Sequence, residues 1–216
     1  MPQILRAFAT TRGRNASARL LLVGTPDPHL DLPGLIREFG LEPCVAVVTT
    51  PDDDRFDELM AAVDVSLNLR WPSAVEMSGP WLRALAAGRA TVIVDLLQHE
   101  RVPTLDPRSW RPNGLSGQSP VAVAVDILDE DHSLRQALHR LAVDADLRAE
   151  LGKSARLYWE GAHTLAHMVI GYEQVMAQAA ARPDPQVSLP SGLRPDAMAS
   201  TRAILRSAGD VPCEFV

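Results

Sequence analysis

The sequence predicts an α/β fold: a doubly wound, mostly parallel sheet with helices on both faces and a helical carboxyl-terminal region. Three observations carry this. Short runs of apolar residues occur without alternation, as in strands buried on both faces. Segments of helical period separate those runs, giving a βαβα order. Glycines stand where helices should stop.

The elements follow in order. Residues 19–24 (RLLLVG) form a continuous apolar run ending in glycine and are expected to be a strand buried on both faces. Residues 30–40 read as a helix stopped by Gly40, and 44–49 (CVAVVT) as a second buried strand holding Cys44. Residues 54–62 place Phe56, Leu59 and Met60 at helical spacing, and 64–69 (DVSLNL) follow as a third strand. A helix over 78–87 ends at Gly88; 90–95 (ATVIVD) and 121–126 (VAVAVD) are the fourth and fifth strands. The stretch 96–120, rich in Pro, Ser, Gly and Arg and carrying Trp110, is expected to be a long loop, either functional or a mobile insertion. Ser133 and Gln136 have capping-box spacing ahead of a face made by Leu134, Ala137, Leu138 and Leu141. Asp144 or Asp146 opens the next helix, with Leu147, Leu151 and Tyr158 in line. Thr164 caps a last long helix carrying Leu165, Met168, Val169, Tyr172 and Met176. Beyond Ala181 the composition turns to proline and polar residues, with a short helix expected over 200–207. The chain thus reads as a domain over 1–181 and a Pro-rich tail over 182–216.

Composition bounds the function. The chain has 216 residues, 46% hydrophobic and 22% charged, with a net charge of −6. Those are globular values. The acidic balance excludes nonspecific nucleic-acid binding, which needs a basic surface to displace counterions. Cys44 and Cys213 are too few and too far apart for a disulfide framework, and no His/Cys/Asp cluster has metal-ligand spacing. No apolar stretch approaches the roughly 20 residues of a membrane helix, and the first residues lack a signal-peptide layout. A cytoplasmic protein with no transmembrane segment and no metal or other cofactor is expected.

Residues 69–95 (LRWPSAVEMSGPWLRALAAGRATVIVD) carry the chemistry. A strand ends, Arg70 follows, Pro72 and Ser73 turn the chain, and Glu76 precedes a helix starting at Ser78-Gly79. A helix amino terminus at the carboxyl edge of a parallel sheet presents free N–H groups and partial positive charge, which suit a diphosphate or a ribose hydroxyl. Small residues there let a ligand approach the backbone. The Glu76 carboxylate can accept hydrogen bonds from sugar hydroxyls, or it serves only the helix dipole. Arg83 meets a phosphate, or lies on a solvated helix face. There is no Walker loop, no GxGxxG fingerprint and no nucleophile elbow.

Pro72, Ser73, Glu76, Ser78, Gly79 and the run from Leu82 to Gly88 resemble the donor-site motif of retaining GT-B glycosyltransferases of family 4. In that family a Pro-Thr/Ser turn and a glutamate precede a helix ending Ala-Leu-Ala-Ala-Gly. The resemblance extends in order to 19–24, to Asp64-Val65, to Asp95, to the helix over 144–155 (DADLRAELGKSA) and to the helix over 164–176. It implies a Rossmann-like fold, the carboxyl-terminal half of a GT-B enzyme. It also implies a nucleotide diphosphate sugar as partner, Glu76 on the donor sugar, and Ser78, Gly79, Arg83 and Arg70 around it. His99 and Glu100, just after the fourth strand, are further candidates. The family's second glutamate, on the ribose hydroxyls, is replaced by Arg83, which cannot accept a hydrogen bond.

Two further family features have no counterpart in the sequence: an amino-terminal acceptor domain, and the strand and basic Gly-Arg…Lys-Gly loop that open the donor domain. The expectation is a chain truncated at its amino-terminal side that works beside an acceptor-domain chain or as a homo-oligomer. The alternative is a non-catalytic remnant or protein-interaction module that keeps the fold. An exposed edge beside a buried strand invites pairing with another chain.

Overall fold

The computed structural model describes residues 1–72, 76–113, 117–183 and 198–207. Ser73 and Cys213, and most of the Pro-rich tail expected over 182–216, lie outside the described residues. The chain divides into two compact units, Met1–Met168 and Val169–Val216.

The first unit alternates strands and helices. Helix α1 (Pro2–Arg12) leads to β1 (Leu20–Val23), α2 (Leu32–Glu38), β2 (Val45–Val48), α3 (Asp53–Ala62), β3 (Val65–Asn68), α4 (Gly79–Ala86) and β4 (Ala90–Val94). Two short strands, β5 (Thr104–Leu105) and β6 (Pro112–Asn113), precede β7 (Ala122–Val125), α5 (Glu130–Val143) and α6 (Ala145–Ala162). Helix α7 (Leu165–Ala180) follows, and the second unit also holds α8 (Ala199–Ser207). The short helix expected near the carboxyl end is α8. The expected loop over 96–120 carries β5, β6 and a 3-10 turn over Leu97–His99.

The main sheet has five strands in the order β3-β4-β7-β5-β6, parallel except for β6. Every residue of β4 and β7 is buried, as their unbroken apolar sequences demand. Alternation sends Val92, Val94, Val123 and Val125 to one face, against Leu134, Ala137 and Leu141 of α5 and Ala7 of α1. Ile93, Ala122 and Ala124 go to the other face, against Trp81 and Leu85 of α4 and Ala155 of α6. Burying each of these Leu, Val and Ile side chains contributes about 1.5–3 kcal/mol. Helices on both faces make the sheet doubly wound.

β1 and β2 depart from the expectation of strands buried on both faces. They form a separate two-stranded parallel sheet. One face packs Leu20, Leu22 and Val45 against Leu5 and Phe8 of α1 and Leu32 and Ile36 of α2. Val23 and Val47 remain exposed. Cys44 is buried, but one residue ahead of the strand.

Local chemistry sets the helix ends. Asp31, Asp52 and Asp144 accept hydrogen bonds from Gly34, Arg55 and Leu147 at 2.8, 2.8 and 2.9 Å, capping α2, α3 and α6. Gly88 ends α4 in a Schellman turn at φ +63°, where Arg89 N–H reaches Ala84 and Gly88 N–H reaches Leu85, both at 3.0 Å. Ser133 is not the expected cap. Helix α5 starts earlier, and the buried Ser133 hydroxyl donates back to Asp129 at 2.7 Å from inside it. On α7 the apolar stripe of Leu165, Met168, Val169, Tyr172 and Met176 is exposed. No helix among the described residues is long and apolar enough to cross a membrane.

Candidate functional site

The carboxyl ends of β3 and β4 and the amino terminus of α4 meet around a small recess. It is lined by Asn68 and Arg70 after β3, Glu76, Ser78 and Trp81 at the start of α4, Ile93 of β4, and Gln98 and His99 after β4. Parallel strands deliver their loops to one edge, and the amino terminus of α4 comes to the same place; Pro80 has no N–H and Trp81 N–H goes to the Ser78 cap, so Gly79 supplies the open N–H of its first turn.

Ser78 is the N-cap of α4. Its Oγ accepts from Trp81 N–H at 3.4 Å, and the extended Ser78 backbone turns the chain into the helix. Gly79 opens the helix, and a Cβ there would meet nothing within 4 Å, so the backbone is open to an approaching ligand. Arg70 and Glu76 pair across the mouth, guanidinium to carboxylate at 2.9 Å. The pair is substantially exposed, with side-chain accessibilities of 66% and 36%, so it is worth no more than about 1 kcal/mol and opens readily to a ligand.

The floor is rigid. Trp81 is fully buried, and its indole N–H donates to Thr91 Oγ1 at 3.2 Å. Thr91 in turn donates to the Val121 carbonyl at 3.4 Å. The Trp81 ring stands edge-on to buried His99, with centroids 5.2 Å apart and planes at 67°. His99 Nδ1 lies 2.9 Å from the Val94 carbonyl. A carbonyl only accepts, so Nδ1 carries the proton and Nε2 is left to a ligand as an acceptor when the ring is neutral.

Among the sequence-predicted candidates, Arg70, Glu76, Ser78 and His99 therefore converge, with Gly79 beside them. Glu100 is exposed and outside the lining. Arg83 points toward α3, with its guanidinium 2.6 Å from Asp53, 3.5 Å from Asp57 and 5.1 Å from the Phe56 ring centroid. The hydrogen bond that Arg83 donates to Asp53 raises its already high pKa; desolvation opposes this, and the charges of Asp53 and Asp57 add to the rise.

Asn68, Trp81 and Gln98 are lining residues that the sequence reading did not single out. Asn68 had a readable signal, a polar residue closing an apolar strand. Trp81 reads as core from its pattern and is both core and floor. Nothing in the sequence marks Gln98, which the 3-10 turn brings back to the recess.

The recess offers a guanidinium, with the Gly79 N–H beside it, as anion donors, a carboxylate and imidazole as acceptors, and two amides that do both. That set suits a phosphorylated, hydroxyl-rich molecule.

Solved structures share this architecture. The sucrose-phosphate synthase of Thermosynechococcus elongatus superposes with a TM-score of 0.59 at 20% identity, over 82% of this chain and 42% of that one. HepE of Anabaena, solved with UDP-glucose, gives 0.61 at 16% identity over 82% of this chain and 44% of its own. The pneumococcal O-GlcNAc transferase GtfA, solved with UDP and GlcNAc, gives 0.62 at 9% identity over 83% and 33%. The chain has the Rossmann-like α/β fold of GT-B glycosyltransferases. It spans less than half the length of each of these three structures. No protein-family model and no curated protein matches the sequence.

Proposed function

We propose that this chain is the donor-binding half of a retaining GT-B glycosyltransferase of family 4. In this reading it holds a nucleotide diphosphate sugar at the β3–β4–α4 recess for transfer of the glycosyl group to an acceptor carried by another domain. One observation carries the reading: Arg70, Glu76, the Ser78-capped start of α4 and His99 meet at the carboxyl edge of a parallel sheet. Two structures of like fold support the choice of ligand, since one was solved with UDP-glucose and one with UDP and GlcNAc. Arg70 and the α4 terminus take the diphosphate. Glu76, released from Arg70, accepts from sugar hydroxyls. His99 Nε2, or the amides of Asn68 and Gln98, fix the sugar's orientation.

Calorimetric titration with UDP, GDP, UDP-glucose and GDP-mannose tests this. The expected result is binding of one nucleotide sugar that weakens at least about tenfold, or 1.4 kcal/mol, in Glu76→Ala. No binding at millimolar ligand, or equal binding by Glu76→Ala, rejects the recess as a donor site.

A further inference from the structure

His99 is held so that only one of its ring nitrogens can change. The residue is 8% exposed and lines the recess, and its Nδ1 lies 2.9 Å from the Val94 carbonyl. Trp81 stands edge-on against the ring and is itself tied to Thr91, which bonds the Val121 carbonyl, so the orientation of the ring is fixed from below. A carbonyl only accepts, so Nδ1 keeps its proton whether the ring is neutral or charged. Gaining a second proton therefore breaks no contact. It changes Nε2 alone, on the side of the ring away from Val94, from an acceptor to a charged donor. Nε2 has no hydrogen-bond partner among the described residues.

That proton also decides the sign of the recess. β4 presents the Val94 carbonyl and Ile93 to the ring, α4 presents Trp81 and the Ser78 cap, and β3 leads to Asn68 and Arg70. The charged lining residues are Arg70 and Glu76, which pair with each other at 2.9 Å. Asp95, Glu100 and Arg101, from the same connection as His99, are exposed and outside the lining. A neutral His99 thus leaves the lining without net charge, and a charged His99 makes it positive.

We infer that His99 is a proton-operated selector in the recess, which rests on the reading above that the recess is the donor site. Uncharged, its Nε2 accepts from a ligand hydroxyl, and the recess holds the sugar end of a nucleotide sugar. Charged, Nε2 donates to an oxyanion, and the same recess takes a phosphate-type group in the sugar's place. The two ligand classes respond differently because a hydroxyl can both give and accept a hydrogen bond, so either form of the ring can meet it. An oxyanion has no proton to give, so only the charged form binds it. Imidazoles change charge between pH 5 and 8, so acidification opens the recess to anions.

NMR of the full chain with 15N-labelled histidine tests this at pH 8 and pH 5.5. Sulfate, UDP-glucose and GDP-mannose are the probes, because none of them changes its own charge over that range. At pH 8 the His99 ring should carry its proton on Nδ1. Sulfate affinity should rise about tenfold or more on going to pH 5.5, as one new charge-assisted hydrogen bond provides, while that of the nucleotide sugar changes by less than about threefold. His99→Asn keeps an amide for the Val94 carbonyl and removes Nε2, and it should flatten the sulfate profile. The other five histidines still charge in that variant, so it separates His99 from the general change in protein charge. His99→Gln, whose amide cannot charge, takes its place if the first variant does not fold. A proton on Nε2 at pH 8, or a sulfate profile unchanged in the variants, overturns the selector. A nucleotide sugar that binds beside a flat sulfate profile overturns the selector and leaves the donor site standing. Sulfate that follows the expected profile while neither nucleotide sugar binds keeps the proton-operated anion site and rejects the donor-site reading.

Discussion

Gly152 is where α6 touches the turn that ends α4, and replacing it tests how the site is held. A Cβ at Gly152 would overlap the Gly88 carbonyl oxygen, sit 3.1 Å from the Gly88 carbonyl carbon and 3.8 Å from Ala90 N. Carbon pairs are at their best near 3.5–4.0 Å, and the overlap with the oxygen is the more severe of the two, so α6 must withdraw by about 1 Å. No side chain can rotate to make room, because the obstructing atoms are backbone fixed by the Schellman turn. Withdrawal loosens Leu151 and Ala155, which sit in the two core clusters of the main sheet. Overpacking of this kind costs about 1–3 kcal/mol, and a severe backbone overlap belongs at the upper end. Replacing a helical glycine by alanine returns about 1 kcal/mol. Gly152→Ala is therefore expected to lower unfolding stability by about 2 kcal/mol, with the urea m-value unchanged. Gly161→Ala, in the same helix with nothing within 4 Å of the new methyl, is the control and should gain up to about 1 kcal/mol. Equal behaviour of the two variants in urea titrations would refute the backbone-contact reasoning.

Two other outcomes are expected. Arg83→Ala should cost less than about 1 kcal/mol, since its ion pair to Asp53 is largely exposed, and should leave affinity for the proposed nucleotide ligand within about twofold; a tenfold loss by calorimetry would bring Arg83 into the proposed site. Burial, with Arg14 and Arg135 nearby, lowers the pKa of His139, and burial with His167 lowers that of His163. The Nε2 atoms of both are buried without a hydrogen-bond partner among the described residues. A base whose folded pKa lies below its unfolded value near 6.5 leaves the folded state with fewer protons, so stability is full above that value and declines as pH falls below it. Urea midpoints should drop between pH 7.5 and 5.5, and the double variant His139→Gln/His163→Gln should flatten the slope.

Much of this molecule is written locally. Runs without polar alternation, ATVIV and AVAV, became β4 and β7, buried at every residue, because strands covered on both faces have no use for alternation. Asp144 and Ser78 cap helices through hydrogen bonds spanning three residues, so spacing alone locates them. Glu76, Ser78 and Gly79 sit within one strand-to-helix turn, and their meeting needs nothing beyond that turn. Arg70 joins them for the same reason.

The rest depends on elements distant in sequence. Leu20–Val23 is as apolar as β4, yet among the described residues it pairs with β2 alone and none of it is buried, because pairing and cover depend on neighbours distant in sequence. Arg83 could turn toward the ligand or toward solvent on sequence grounds, and the acidic start of α3, thirty residues earlier, turns it to Asp53. His99 and Trp81 share a floor because β4 carries one past the helix bearing the other. The sequence by itself determined the five longer strands, the caps at Ser78 and Asp144 and the strand-to-helix turn of the recess, since these are set by contacts within a few residues. Only the tertiary structure decided how the strands divide between two sheets, where Arg83 points and what lies beneath the recess, since long-range packing chooses among pairings and side-chain directions that local chemistry leaves equal.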